Sequence, residues 1–470
     1  MNGKVVVLGA GPTGLSAAWK LSERGVEVEV IEAEPYVGGL SHTLHRDGYL
    51  FDFGPHRFHT DNPAILAEIQ RLLGAMPEKT RKTRVYFMGK FYDYPLSASN
   101  LLSSLSPWLA FVCFADFLAA WLRNRVRSAA DDSFESWVVN RFGRRLYDTY
   151  FGPYTAKVWG RDPSKLSASW AAQRVAVVDL WDLVLRVLKV RRGYNHFHHS
   201  PYKPDFHYPR EGVGRIYDRM AEEIIRNGGT IHLDSPVREV NWVDGVVSGV
   251  TVDEGGRRRE VTGDFFVSTL PVTTLVEALR PHPPADVLAA ARALTYRAMI
   301  FLFLAVAKPA VTDDHWIYVP EAKTIFNRIS EMRNFTPDAA PPGKTSLTLE
   351  ITCDLGDDIW NTPEEELYER SIQGLVDAGL LRADQVLGHF FMRSANAYPT
   401  YDLKFEANLG RLAYHLAGLP NLIVCGRQGL FRYINQDHAI EMGFCAADEI
   451  TTQQIGTKVG RVGSEQVYFG

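Results

Sequence analysis

The sequence predicts an α/β fold in which a parallel sheet, assembled from separated stretches of the chain, carries an inserted helical domain and a mostly antiparallel second sheet. Three patterns lead to it. Within the first 25 residues an apolar strand runs through a glycine turn into an amphipathic helix. From Ser97 to about Val190 apolar residues recur at three- and four-residue spacing with few turn signals. Alternation of period two then returns at Ala298–Val306, Lys344–Thr352 and Gly388–Ser394, the signature of antiparallel strands.

The first of these patterns is the most informative. Lys4–Ala10 reads KVVVLGA and enters Gly9-Ala10-Gly11-Pro12-Thr13-Gly14, followed by the helix LSAAWKLSERG, which ends at Gly25. The first two glycines allow a tight turn and close approach to a pyrophosphate. The third allows helix and strand to pack closely, and the helix N-terminus offers N–H groups to the phosphates. The second strand, VEVEVI, ends on Glu32, eighteen residues after Gly14, where a carboxylate can accept the hydroxyls of an adenosine ribose. A strand, glycine turn, helix and acid in that order are a Rossmann-like dinucleotide-binding unit. Downstream, EAEPYVGGLSHT places Gly38, Gly39 and Leu40 where a second backbone approach to the same pyrophosphate is possible. That pair points to FAD rather than NAD and resembles the two-dinucleotide-binding motif flavoproteins.

Composition narrows the class. The 470 residues are 46% hydrophobic and 23% charged with a formal charge of −4, which gives no bulk attraction to nucleic acid or to an anionic membrane. The chain enters its first strand at once, with no signal-peptide pattern. Cys113, Cys353, Cys425 and Cys445 lack metal-type spacing and suit reduced thiols, so a cytoplasmic protein without a metal site is expected. Leu101–Leu122 approaches the length of a membrane span but contains Pro107, Asp116 and several serines, and reads as a buried or amphipathic helix that could at most touch a membrane. The final GSEQVYFG reads as a protease-site remnant.

The remaining elements follow in order. Tyr49–Thr60, YLFDFGPHRFHT, is a strand that breaks at Gly-Pro and delivers His56, Arg57 and His59. VYFMGKFYDYP is an aromatic hairpin around Gly89. The helical insertion contains FGPYTAKVWGRDPSKL and then SWAAQRVAV, with Tyr154, Trp159 and Arg174. Strands return between Asp205 and Thr269, where Val237 is a further candidate for the cofactor. The GVGRIY stretch at Gly212–Tyr217 follows a proline-rich loop, not a strand, and is no nicotinamide fingerprint. Asn421–Gly429, NLIVCGRQG, is a buried strand that should rejoin the first sheet, and the helix near Asp437 should aim its N-terminus at the flavin. The expected domains are 1–95, 205–275 and 412–455 for FAD, 96–204 helical, 276–411 antiparallel sheet, and 456–470 a tail.

Taken in order, FDFGPHRFHT, MGKFYDYPL, FGPYTAKVWGRDPSKL, SWAAQRVAV, IFNRI and GRQGLFRYINQDHA resemble the flavin-dependent UDP-galactopyranose mutases. The resemblance implies an isomerase that interconverts pyranose and furanose forms of a nucleotide sugar without net redox, through a covalent adduct of the reduced flavin and the sugar. By that similarity Arg174 and Arg328 hold the departing diphosphate, and Tyr398 and Tyr433 add hydroxyl contacts to it. Tyr154 and Trp159 offer aromatic faces, one of them to the nucleobase. His56 lies beside the flavin ring, and Gly426, Arg427, Asn435, Gln436 and Asp437 complete the cofactor end. The resemblance also implies activation by NAD(P)H or another reductant, a nucleotide-sugar partner, and leaves a homodimer open. The chain is longer than typical bacterial members and shorter than eukaryotic ones, and Asn435–His438 follows Tyr433 more closely than in the eukaryotic pattern. The sugar and base stay open. The competing reading is an oxidase of the protoporphyrinogen or amine oxidase type on the same fold.

Overall fold

The computed structural model describes residues 3–94, 107–126, 131–169 and 205–464. Arg174, the tail from 465 and the apolar stretch at 101–106 lie outside the described residues.

Val5 to Leu8 are fully buried, so the first strand must face apolar neighbours on both sides. It is the centre of a five-stranded sheet, in the order Leu422–Val424, Phe265–Ser268, Lys4–Leu8, Glu27–Ile31 and Thr230–His232. Every neighbouring pair in it is parallel. Val5 and Val7 enter one core with the helices Pro12–Glu23, Arg215–Arg226 and Gln436–Thr452, while Val6 and Leu8 enter a second core beneath a four-stranded sheet. Three distant stretches of the chain thus close one nucleotide-type sheet, as the returning strands predict.

Helix packing behind the glycine turn is close enough to dictate residue identity. A Cβ at Gly14 would run into the Gly9 carbonyl and lie 3.2 Å from Val7 Cγ1. At Gly443, on the last long helix, a Cβ would stand 2.6 Å from Ser16 Cβ and 2.8 Å from the Ala17 nitrogen. Small residues at this crossing let the two helices meet backbone to backbone, which seats both N-termini at the same end of the sheet.

The second sheet has seven strands in the order Val386–Pro399, Tyr296–Val306, Thr345–Cys353, Arg328–Glu331, Trp316–Tyr318, Thr83–Phe87 and Lys90–Asp93. Its pairs are antiparallel except that between Trp316–Tyr318 and Thr83–Phe87. Tyr296–Val306 alternates as expected, yet both of its faces are apolar. Ile300, Leu302 and Leu304 point into one core, and Met299, Phe301 and Phe303 into another. The aromatic hairpin at 83–93 corrects the expected boundary at residue 95. It belongs by hydrogen bonding to this second sheet and not to the nucleotide sheet, because Trp316–Tyr318 offers it an unpaired edge.

In the helical part, Pro107–Val126, Phe134–Phe142 and Gly152–Trp159 are described. Among the described residues no helix is long and apolar enough to cross a membrane. Asp116, the awkward acid in the apolar stretch, accepts the backbone N–H of Arg145 at 2.7 Å. Phe117 and Ala120 face inward while Trp108, Phe111 and Leu122 are exposed, an amphipathic helix.

Replacing Gly443 by valine should lower stability by about 1–3 kcal/mol, the scale of overpacking a filled contact. Chemical denaturation of the flavin-loaded protein measures it. An unchanged midpoint would show that the two helices can part without cost.

Candidate active site

The first turn is held by hydrogen bonds that leave its outer side open. Gly9 takes φ of +103°, and its N–H donates to the Ile31 carbonyl at 2.8 Å. The Ala10 N–H donates to Glu32 Oε2 at 2.6 Å, and Gly38 donates to the Ala10 carbonyl at 2.8 Å, which ties the second glycine turn to the first. Gly38 and Gly39 both need positive φ, +95° and +53°, and a Cβ on Gly39 would lie 3.5 Å from Gly11 Cα. At Gly11 itself a Cβ would meet nothing within 4 Å, so its backbone borders open space. Burial raises the pKa of Glu32, and the amides of Glu34, Ala10 and Ala33 pull it back toward the charged form.

One cleft collects the expected cofactor residues from four separate stretches. Gly11, Pro12, Thr13, Gly39, Leu40, His56, Gly426, Arg427, Asn435 and Gln436 line it, together with Ser41, Thr269, Gln428 and Ile434. Asn435 sits at the N-cap of the Gln436–Thr452 helix without making a side-chain capping bond, and Gln436 Oε1 accepts from Tyr217 Oη at 2.6 Å. Asp437 follows in the first turn of that helix. Gly9, Gly14 and Glu32 build the cleft wall from behind. Val237 does not line the cleft. It opens a strand of the four-stranded sheet, two residues after Ser235, whose N–H donates to the Glu32 carbonyl at 2.8 Å. An open cradle of backbone, two helix N-termini and a buried carboxylate at the end of the second strand fit the pyrophosphate and ribose of FAD.

At the other end of the cleft stands a wall of cations and aromatics. Arg328 and Glu350 face each other across paired strands. Arg328 Nε donates to Glu350 Oε1 and Nη2 to Oε2, both at 2.6 Å, and Nη2 lies 3.4 Å from Tyr398 Oη. Burial opposes the arginine's charge, but Glu350 and then Tyr398 override it and hold the guanidinium protonated. Tyr398 stacks on Tyr433 with centroids 5.1 Å apart, and the Arg427 guanidinium lies 4.7 Å from the Tyr433 ring. Trp159 reaches Tyr398 at 6.3 Å. Burial, reinforced by Tyr318 and Tyr150, raises the Tyr154 hydroxyl well above its ordinary value, so it stays neutral.

His56 joins the two ends. Gly54, at φ +102°, must be glycine because a Cβ there would collide with Glu350 Oε1, and the Gly-Pro turn so formed delivers His56 into the cleft. Burial, then the charges of Arg427 and Arg328, lower its pKa to about 3. Its Nδ1 lies 3.3 Å from Ser41 Oγ.

Residues that pattern reading missed complete the site. Glu350 was visible only as the lone acid of the apolar run TSLTLEITC. Arg81 shares the face of Trp316 with Arg57, which the Gly-Pro break already offered, at 5.4 and 5.8 Å, and burial with the charge of Arg57 lowers Arg81 to about 9. Tyr94 and Tyr318 lie edge to face beside them, 5.2 Å apart. Among the described residues no cluster suited to a metal ion occurs.

The family description "Flavin containing amine oxidoreductase" matches residues 12–450. The chain belongs to this family. FAD is therefore its cofactor, in keeping with the cleft. Within the family the chain is similar to a Klebsiella pneumoniae protein described as "Probable UDP-galactopyranose mutase", 29% identical over 48% of this chain and 53% of that one. It is also similar to the dTDP-fucopyranose mutase of Escherichia coli, 27% identical over 46% of this chain and 53% of that one. These alignments span about half the length of each relative. Among solved structures, a reduced UDP-galactopyranose mutase superposes with a TM-score of 0.83, covering 99% of this flavoprotein and 100% of its own chain at 23% identity, a likeness of fold.

The neutral state of His56 makes a pH prediction. A lowered folded pKa contributes stability that is complete above about 6.5, the unfolded value, and is lost as pH falls toward about 3. His56→Gln should therefore flatten the decline of melting temperature between about pH 6.5 and 5 relative to the parent. An unchanged decline would show that His56 is protonated in the fold.

Proposed function

We propose that this flavoprotein is a nucleotide-diphosphate-sugar mutase, interconverting pyranose and furanose forms without net redox. One observation carries the reading: beside the flavin cleft stands a fixed guanidinium, Arg328, whose Nε and Nη2 are held by Glu350 and Tyr398 while Nη1 has no hydrogen-bond partner among the described residues. A cationic amine would be repelled there and the broad macrocycle of a porphyrinogen needs an apolar channel beyond any contact to its carboxylates, whereas a diphosphate needs such a cation. Similarity to mutases of two different nucleotide sugars supports the reaction class and leaves the sugar and base open.

In this reading Arg328, with Arg174, keeps the cleaved diphosphate close enough to return to the anomeric carbon. Tyr398 and Tyr433 add neutral hydroxyl donors. Tyr154 and Trp159 hold the nucleobase side, and neutral His56 orients the sugar at the flavin end. Bound FAD, reduced by NAD(P)H or another donor, supplies the electron-rich centre at which the anomeric bond is exchanged. The substrates and the reductant are cytoplasmic solutes, and no membrane or nucleic acid is needed.

Incubating the anaerobically reduced protein with UDP-, GDP- and dTDP-sugars should give a furanose product by chromatography. Oxygen consumption with an amine or porphyrinogen and no furanose from any sugar would overturn the reading. Arg174→Ala and Arg328→Ala should each cost about 2–5 kcal/mol in kcat/KM with FAD still bound, the scale for losing a buried charge partner. Retained turnover in both would remove the diphosphate role.

A further inference from the structure

Lys157 is half-buried, and no carboxylate oxygen is among its hydrogen-bond acceptors. Its Nζ donates instead to the carbonyls of Val319 at 2.8 Å, Glu321 at 2.7 Å and Phe326 at 2.7 Å, and to Thr324 Oγ1 at 2.9 Å. The Thr324 hydroxyl also bonds the Glu321 carbonyl at 3.0 Å, and the Glu321 carboxylate pairs with Lys323 at 3.2 Å and accepts the Gly89 N–H at 3.1 Å. Burial lowers the pKa of Lys157 to about 7, and four oxygens of one loop surround its nitrogen, the arrangement by which backbone carbonyls hold a small monovalent cation.

The loop is the hairpin between Trp316–Tyr318 and Arg328–Glu331, and its two base residues, Tyr318 and Arg328, are cross-strand partners. Lys157 reaches it from the Gly152–Trp159 helix, three residues after Tyr154 and two before Trp159. The same helix is tied to the sheet once more, by Thr352 Oγ1 donating to the Lys157 carbonyl at 3.3 Å. Without a cation, three carbonyl dipoles would converge on an empty point, and the loop would have to open. The planar fork of arginine cannot replace a compact ammonium among four oxygens.

We propose that Lys157 is a positioning residue, its ammonium filling a cation cage in the 319–326 loop and so fixing Tyr154 and Trp159 against Tyr318 and Arg328. What is positioned rests on the mutase reading; the cage does not. The role needs a charge at that point and not merely packing, which separates it from an ordinary buried lysine.

The test uses the FAD-loaded protein and the exposed Lys323 within the loop. Tryptic cleavage after Lys323, followed by mass spectrometry, should be about tenfold faster in Lys157→Ala, the effect of losing a set of charge-assisted hydrogen bonds. Ammonium chloride should slow it back toward the parent rate, and tetramethylammonium chloride at equal ionic strength should not. Thr324→Val, which removes one of the four oxygens, should give a smaller increase and keeps the test open if Lys157→Ala fails to fold. Parent-like cleavage in both variants, or fast cleavage that ammonium does not slow, would overturn the cage. With nucleotide sugar, Lys157→Ala should raise KM about tenfold at nearly unchanged kcat, reversed by ammonium. Ammonium-sensitive cleavage without any change in KM would overturn the positioning role. Absence of turnover in the parent would overturn the mutase reading alone, since the cleavage assay does not depend on it.

Discussion

A guanidinium can be kept charged inside a protein only if a carboxylate shares its burial, and much of this site follows from how that condition is met. Arg328 and Glu350 are placed opposite each other by strand pairing, so their bidentate contact is fixed by the backbone and not by the choice of a rotamer alone. The pair is weak evidence for stability, because desolvating two charges offsets most of their attraction. Its value lies in geometry. With two of its nitrogens committed inward, Arg328 presents a defined remaining edge. The carboxylate in turn forces a glycine at position 54, and that glycine shapes the turn that brings His56 to the cleft.

The cleft and the wall are contributed by different sheets, and the chain crosses between them repeatedly. The nucleotide sheet supplies the glycine turns and Arg427, and the seven-stranded sheet supplies Arg328 and Tyr398. Stacking of Tyr398 on Tyr433 is one direct contact across that seam, and the Tyr296 hydroxyl donating to the Gln428 carbonyl at 2.9 Å is another. Arg427 rests on both rings, at 5.6 and 4.7 Å. A shift of either sheet would therefore be felt at once by the groups on the other.

How much of this could be read from the chain differs by the range of the interaction. The glycine turn, Glu32 and the helix behind them are local in sequence, with spacing dictated by backbone geometry, and they stand in the structure as read. The discontinuous parallel sheet was legible because the returning strands Phe265–Ser268 and Leu422–Val424 are apolar, while the short edge strand Thr230–His232 follows the turn at Gly228-Gly229. Glu350 was not, because nothing local distinguishes a partnered acid in an apolar strand from an error of pattern. Only register across the sheet reveals its partner. The hairpin at 83–93 was assigned to the nearer domain in sequence, while hydrogen bonding joins it to a strand more than 220 residues away. Arg81 stands in the run RKTR, where nothing local sets it apart from the neighbouring bases, yet it is only 7% exposed.

The electrostatics of the junction can be taken one step further. Arg328 with Glu350 is a neutral pair, His56 is neutral, and the raised tyrosine hydroxyls remain protonated. The charge of Arg328 is thus partly balanced by its carboxylate partner, although it still acts on His56. Arg427 adds a second cation, whose Nε and Nη2 donate to the uncharged Ile434 carbonyl, at 3.1 and 2.5 Å, and among the described residues to no carboxylate. Burial, then Arg427 and Arg328, lower the pKa of His56, and both arginines oppose the burial that raises Tyr398. A carboxylate-paired arginine sets direction and Arg427, without a carboxylate partner among the described residues, adds positive charge, so an anion entering between them is attracted by Arg427 and oriented by Arg328.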